Sequence, residues 1–121
     1  MPTVPESLFM RGIESVVRAN AAWIPPHGSG ASLYIRPFLI GVGENLGLRP
    51  APEYEFRVFV SPVGPYYKGG GLSLINLAVI DLDRAAPKGL GAFKAGANYA
   101  GGRLATQMAQ SLGAQEALYL D

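Results

Sequence analysis

The first part of the chain arranges apolar and polar residues with the period of a helix. Between residues 6 and 22, charged residues fall between apolar ones that recur at intervals of three and four. The apolar positions are Leu8, Phe9, Ile13, Val16, Val17 and Ala21. This spacing puts them on one side of an α-helix, and Pro5 suits the position just before its start. The sequence therefore predicts an amphipathic helix over 6–22, and "IPPHGSG" after it predicts a loop.

Two segments with the patterns of β-strands follow this loop. "SLYIRPFLI", residues 32–40, is rich in aromatic and branched residues, and "EYEFRVFVSPVG", residues 53–64, alternates in polarity. Pro37 has no backbone N–H to donate, so it predicts a sheet edge or a distortion at that point. Because side chains alternate across a strand, the second segment carries Tyr54, Phe56, Val58 and Val60 on one face and Glu55, Arg57, Phe59 and Ser61 on the other.

The second half of the chain begins after a glycine run. "PYYKGGG", residues 65–71, contains three consecutive glycines, which suit neither a helix nor a strand interior, and we predict a domain boundary there. "LSLINLAVIDL", residues 72–82, then predicts a strand, and a Gly/Pro-rich connector follows it. From Tyr99 the apolar spacing is helical, and Gly113 is a natural end for that helix. "EALYLD" predicts a last strand, and this apolar strand with nothing after it leads us to expect a continuation of the chain.

Composition narrows the class of protein. Apolar residues make up 49% of the 121 residues and charged residues 16%, which favours a folded protein over a disordered one. The predicted helices and strands then indicate the α/β (α+β) class. The formal net charge is +1 with scattered basic residues, so we predict no nucleic-acid partner. No apolar run reaches the ~18 residues of a membrane span, so we predict no membrane partner. The chain has no cysteine, which rules out disulfides and thiolate metal sites and is typical of a cytoplasmic protein.

One lysine is the leading candidate for chemistry. The glycine patterns "GVGENLG" and "GLGAFKAG" lack the spacing of nucleotide-binding loops, and His27 has no partners with metal-ligand spacing. Lys94, in contrast, stands among small and apolar residues in "GAFKAGANYAGG". Apolar surroundings lower the pKa of an amine and make it a nucleophile, and Tyr99 could supply a phenol. Surface lysines are far more common than reactive ones, so these residues by themselves leave both interpretations open.

Several separated blocks carry a resemblance to a known family. "SLYIRPFLIGVGENLG", "FVSPVGPYY" and "KAGANYA", with "LG" and "LYLD" after them, resemble the fold-type IV pyridoxal-phosphate aminotransferases, and specifically the branched-chain amino acid aminotransferases. The resemblance covers nearly all of the chain. It implies a mixed sheet with flanking helices and a central segment of the enzyme. Residues 1–65 would be the C-terminal part of the small domain, 66–92 the interdomain loop, connecting strand and Gly/Pro linker, and 93–121 the start of the large cofactor-binding domain.

The resemblance also implies roles for individual residues. Lys94 matches the lysine that forms the internal aldimine with pyridoxal 5′-phosphate and moves the proton at the substrate α-carbon. Tyr99 matches the tyrosine that hydrogen-bonds the O3′ atom of the cofactor. Tyr34 and Arg36, in "LYIRP", match substrate-facing residues, with Arg36 suited to the side-chain carboxylate of glutamate. Tyr66 matches the tyrosine of the interdomain loop that closes over the substrate.

Two positions near Lys94, Arg84 and Ala97, can also be compared with the family. Arg84 lies ten residues before Lys94, as an arginine of the family does, and we assign it no role. The family motif usually reads Lys-x-Gly-Gly-Asn-Tyr, whereas this chain has Ala97 in place of the second glycine. A methyl group is acceptable there if the residue has a negative φ.

The function implied is amino transfer between leucine, isoleucine or valine and 2-oxoglutarate, in a homodimer with small-molecule substrates. Other fold-type IV enzymes, a D-amino-acid aminotransferase or an aminodeoxychorismate lyase, stay open as alternatives. So does an inactive fragment or assembly module, because the family's acidic partner for the ring nitrogen and most of its phosphate ligands have no match among these residues.

Overall fold

In chain order, the elements are helix, two strands, a strand, a helix and a strand, as predicted. They are seen in a computed structural model that describes residues 1–65 and 72–120. The chain divides into two units, Met1–Gly70 and Gly71–Asp121. Helices and strands occur in both units, which confirms the α+β class. The assignment of 1–65, 66–92 and 93–121 to the domains of the family stays a prediction.

The first unit consists of a helix and a hairpin. Helix α1 spans Glu6–Ala19 and is followed by a 3₁₀ turn at Ala21–Trp23. The helix ends three residues before the predicted limit because Asn20 leaves helical geometry, with φ −115° and ψ 23°. Its side-chain amide donates a hydrogen bond to the carbonyl of Val16 at 2.8 Å, and this carbonyl also accepts from the backbone N–H of Asn20 at 3.2 Å.

The hairpin presents two different faces. Strands β1 (Ser32–Val42) and β2 (Glu53–Val63) pair antiparallel, with Ser32 opposite Val63 and Val42 opposite Glu53. The predicted alternation is confirmed, because the face with Phe56 and Val58 lies against α1. The rings of Phe9 and Phe56 are 5.8 Å apart. The other face of the hairpin, which we call the open face, carries Tyr34, Arg36, Phe38, Arg57 and Phe59.

Pro37 lies inside β1, opposite Val58, without interrupting the strand. In the part of the chain described here, β1 has β2 as its one neighbour. An edge strand can accommodate a residue without an N–H group because one side of its backbone needs no partner. Among the described residues, Pro37 thus fits the edge interpretation and causes no break in the strand.

The second unit is a strand–helix–strand crossover. Strand β3 (Leu77–Val79) and strand β4 (Glu116–Leu118) pair in parallel, and helix α2 (Ala97–Ser111) lies between them in sequence. Parallel neighbours need such a crossover. The sequence predicted a strand over 72–82, but only Leu77–Val79 pair, because β4 has only three paired residues. The core of this unit consists of Ile80, Ala105, Ala109 and Ala114.

Gly113 follows the last residues of helix α2 and stops it, as the sequence predicts. Gly113 has a φ of 79°, a conformation that side chains with a Cβ atom rarely adopt. The N–H of Ala114 donates to the carbonyl of Ala109 at 3.0 Å, and the N–H of Gly113 donates to that of Gln110 at 3.0 Å. This pair of bonds is the Schellman motif. Among the described residues, no helix is long and apolar enough to cross a membrane.

Candidate active site

Lys94 lies in a series of tight turns that leads into α2. The N–H of Phe93 donates to the carbonyl of Leu90 at 2.9 Å, and the N–H of Ala95 donates to that of Phe93 at 2.8 Å. The helix begins three residues after Lys94, at Ala97. The turns therefore direct the lysine back over the first turn of the helix, where Tyr99 lies.

The Lys94 and Tyr99 side chains meet. The Lys94 Nζ atom donates a hydrogen bond to the Tyr99 Oη atom. The same Nζ lies 4.6 Å from the centre of the Tyr99 ring, within the range of a cation–π contact. An ammonium that donates to the phenol oxygen leaves the phenolic proton free for a second acceptor. The two residues that the resemblance pairs on one cofactor are thus neighbours in the fold.

Apolar side chains do not enclose Lys94 within the described residues. Lys94 is exposed, and the Tyr99 side chain is 47% exposed. Small residues on either side of Lys94 leave space around the amine, but they do not exclude water from it. The sequence left a reactive and a surface lysine both open, and the glycine and alanine side chains beside Lys94 are too short to cover it.

The surroundings of Tyr99 favour its ionised form. The hydrogen bond from Lys94 lowers the pKa of the phenol below its ordinary value of 10.0, and partial desolvation opposes this shift. The positive charges of Lys94 and Arg84 lower the pKa further. The Arg84 Cζ atom lies 5.2 Å from the centre of the Tyr99 ring. Arg84, which the sequence left without a role, is therefore part of the same charged group.

A cleft of about 290 Å³ opens beside this group. Its cationic groups could face an anionic ligand. The residues that line the cleft include Arg84, Asn98, Tyr99, Arg103, Glu116 and Tyr119.

Ala97 is the first residue of α2. Among the described residues, positive φ values occur only at glycines. The condition set for a methyl group at this position is therefore met, and the departure from the family motif needs no strained backbone.

Tyr34 and Arg36 meet on the open face of the hairpin. They lie two residues apart on β1, so they share one face. The Arg36 guanidinium donates to the Tyr34 Oη atom at 2.9 Å and lies 5.1 Å from the ring centre of Tyr34. It also lies 5.8 Å from the ring centre of Phe59, which the resemblance did not single out.

Arg36 differs from its neighbour Arg57 in its charge partners. Arg57 pairs with the Glu55 carboxylate at 2.5 Å. In the ranges 1–65 and 72–120, no carboxylate pairs with Arg36. Within these residues its contacts are with the Tyr34 oxygen and the rings of Tyr34 and Phe59, and its role in substrate binding stays a prediction.

The site residues fall into two groups. Lys94 and Tyr99 belong to the second unit, and Tyr34 and Arg36 belong to the first. Tyr66 lies outside the described residues. Asn98 was missed by the sequence reasoning, although it donates hydrogen bonds to two carbonyls of the turns around Lys94. Its sequence signal is its place in the Lys-x-Gly-Gly-Asn-Tyr motif, between Lys94 and Tyr99 near the start of a helix.

Comparison with curated proteins finds aminotransferases along the whole chain. The chain is 52% identical to a branched-chain-amino-acid aminotransferase of Haemophilus influenzae and 51% identical to one of Helicobacter pylori. It is 48% identical to the chloroplastic branched-chain-amino-acid aminotransferase 5 of Arabidopsis thaliana. Each match covers 100% of this chain, but 36%, 36% and 29% of the respective relative. No family model matches the chain.

The relatives define the class as aminotransferases of fold type IV, which confirms the fold expected from the resemblance. Within that class, the chain belongs to the branched-chain-amino-acid aminotransferase family. It spans about a third of the length of the curated relatives it matches.

Proposed function

We propose that the protein carrying this chain is a branched-chain amino acid aminotransferase that uses pyridoxal 5′-phosphate. It would move an amino group between leucine, isoleucine or valine and 2-oxoglutarate. The observation that carries the proposal is the Lys94–Tyr99 pair, in a chain whose relatives bear that name. A homodimer in the cytoplasm is part of the same proposal, although plant relatives are named chloroplastic.

The donor groups of the second unit fit this cofactor. The exposed Lys94 amine is a primary amine that an aldehyde can reach, and it would hold the cofactor covalently. Tyr99 would donate its phenolic proton to the oxygen next to that aldehyde. When bound, the cofactor supplies an electron sink for the negative charge that develops at the substrate α-carbon.

The substrate amine would displace Lys94 from the cofactor, and the released Lys94 amine would then act as the base of the reaction. Its Nζ atom would accept the proton from the substrate α-carbon and return a proton to the cofactor side. Tyr99 keeps this amine close to the start of α2, because its oxygen is the acceptor for Nζ. Proton transfer requires heavy atoms within hydrogen-bond reach, so a fixed position for Nζ matters as much as its basicity.

Arg36 and Tyr34 would select the substrate. A guanidinium binds a carboxylate through two parallel hydrogen bonds, which suits the side-chain carboxylate of glutamate and 2-oxoglutarate. Tyr34 would form a wall beside branched apolar side chains. Tyr66 would contribute from the interdomain loop.

A labelling experiment tests the cofactor role of Lys94. The chain is mixed with pyridoxal phosphate, reduced with borohydride and mapped by mass spectrometry. We expect the reduced adduct on Lys94 and not on the exposed Lys88, which serves as an internal control. The variant Lys94→Met should lose the adduct. A label on Lys68 or Lys88 in place of Lys94 would contradict the assignment.

An activity assay tests the reaction class. A protein that carries this chain at the length of its relatives is given L-leucine with 2-oxoglutarate, D-alanine with 2-oxoglutarate, or aminodeoxychorismate. Turnover of L-leucine supports the proposal, and turnover of either other substrate alone supports the corresponding alternative. If only the longer protein takes the label, the 121-residue chain is an inactive segment of an active enzyme.

A further inference from the structure

We infer that Asn98 is a positioning residue, whose side-chain amide ties the turn before Lys94 to the start of α2 and thereby places the Lys94 amine at Tyr99. The use of this arrangement in catalysis rests on the proposed function, but the arrangement itself does not.

The geometry of Asn98 carries the inference. Its Nδ2 atom donates to the Leu90 carbonyl at 2.7 Å and to the Phe93 carbonyl at 2.7 Å. These bonds cross eight and five residues of the chain. Asn98 as a residue is half-buried, although both bonds lie at the surface.

Both N–H donors of the Asn98 side-chain amide are used. The two hydrogens of Nδ2 each have an acceptor, which uses the whole donor capacity of the amide nitrogen. The Leu90 carbonyl also accepts from the N–H of Phe93, and the Phe93 carbonyl from the N–H of Ala95. A rotated amide would turn its oxygen towards two carbonyl oxygens, so the network determines the orientation of the side chain.

The bond to Phe93 bears directly on Lys94. The carbonyl of Phe93 and the N–H of Lys94 belong to the same peptide group, which is planar. A hydrogen bond that holds this carbonyl therefore also holds the orientation of the backbone as it enters Lys94. At its other end, Asn98 is the residue before Tyr99 in α2. One side chain thus links the backbone of the amine to the helix that carries the phenol.

Few side chains could replace this one. Asparagine offers two N–H donors from a single planar group on a short stem. Aspartate has the same shape but, when ionised, accepts only, and would face the two carbonyls with a negative charge. Alanine offers neither donor.

The test uses the Tyr99 titration in two variants of the chain. Asn98→Ala removes both donors, and alanine is the strongest helix former, so α2 is expected to persist. Asn98→Asp keeps the size, and a negative charge in the first turn suits the helix dipole. If Asn98 places the Lys94 amine at Tyr99, both variants should raise the ionisation midpoint of Tyr99 towards 10.0. Lys94→Met, which removes the amine itself, should have the same effect.

The controls separate this effect from a general loss of structure. Ser111→Ala removes a side-chain bond to the Met108 carbonyl at the other end of α2, and should leave the Tyr99 midpoint unchanged. Circular dichroism checks that the helix is retained. The six tyrosines are distinguished by comparing each variant with its own Tyr99→Phe counterpart.

The labelling experiment is the second arm. In Asn98→Ala, the ratio of borohydride-trapped label on Lys94 to that on Lys88 should fall by about tenfold, the factor expected when hydrogen bonds of this kind are lost. An unchanged Tyr99 midpoint in folded Asn98→Ala and Asn98→Asp would overturn the inference. If a protein at the length of its relatives takes no label on Lys94 but the midpoint shifts, the proposed function fails and the role of Asn98 stands.

Discussion

At the scale of single residues, the site is an electrostatic arrangement around one phenol. Lys94 donates to the Tyr99 oxygen, and Arg84 lies against the Tyr99 ring. Two cations beside a phenol stabilise the phenolate, so the pKa of Tyr99 falls. The same two cations would favour an anionic ligand at this position.

The first prediction concerns this pKa. Lys94→Met keeps the length of the side chain but removes the donor and its charge, so the midpoint of Tyr99 should rise towards 10.0. Tyrosinate absorbance measures it, with Tyr99→Phe as the subtraction. Lys88→Met is the matched control and should change nothing.

The stability of the chain should depend on pH through the same group. The pKa of Tyr99 is lower in the folded chain than in the unfolded one. Its stabilising contribution is therefore complete above the ordinary value of 10.0 and is lost as the pH falls through the lowered folded pKa. Urea denaturation of the chain and of Tyr99→Phe across this pH range measures the difference, and parallel curves would contradict it.

The third residue-scale prediction concerns Arg36. Arg36→Lys removes the planar fork but keeps the charge, so a protein at the length of its relatives should show a KM for 2-oxoglutarate raised by about tenfold. The KM for L-leucine should change little. Arg57→Lys on the same face is the control, because Arg57 is already paired with Glu55. If both substitutions raised the KM for 2-oxoglutarate equally, Arg36 would have no specific role in substrate selection.

At the scale of elements, helix α2 depends on how it begins and ends. It starts among the turns that carry Lys94 and ends at Gly113 in a left-handed conformation. Its inner face consists of alanines, which let the helix approach the two-stranded sheet closely.

The same substitution should have opposite effects at two glycines of this region. Gly113→Ala forces a Cβ atom into a φ of 79° and should lower the free energy of unfolding by about 1 kcal/mol. Gly101→Ala lies inside α2, where an added Cβ would have ordinary van der Waals contact with the Arg84 carbonyl oxygen at 4.0 Å. It should raise the free energy of unfolding by about 0.5 kcal/mol. Urea denaturation measures both, and effects of the same sign would contradict the account.

At the scale of the whole molecule, the described residues bury little apolar surface. The core residues of the second unit are one isoleucine and three alanines. Many larger apolar side chains are exposed, and several leucines are almost fully so. The most exposed of them are Leu46, Leu48, Leu72 and Leu74.

Exposed apolar surface on this scale marks sites that other protein surface covers. The 121-residue chain by itself should therefore bind anilinonaphthalene sulfonate in native buffer, with fluorescence several-fold above that of a protein at the length of its relatives. Equally low fluorescence from both would mean that the chain covers these side chains without further protein.

Much of this fold could be predicted because it depends on local patterns. The period of α1, the alternation of β2 and the stop at Gly113 are each set by residues a few positions apart. Strand β3 was predicted too long because its length depends on β4, which lies more than thirty residues away in sequence. The exposure of Lys94 was left open because apolar neighbours in sequence need not pack around a side chain.

The sequence by itself determined the order of the elements, the two faces of β2 and the candidate pair Lys94 and Tyr99, because periodicity and motifs record them directly. Only the tertiary structure decided that the Lys94 amine meets the Tyr99 oxygen, that Arg84 lies over the same ring, and that Asn98 holds the turn between them. Those contacts depend on the directions in which turns send side chains and carbonyl groups. Such directions follow from the folded hydrogen-bond network, and no spacing of residues along the chain records them.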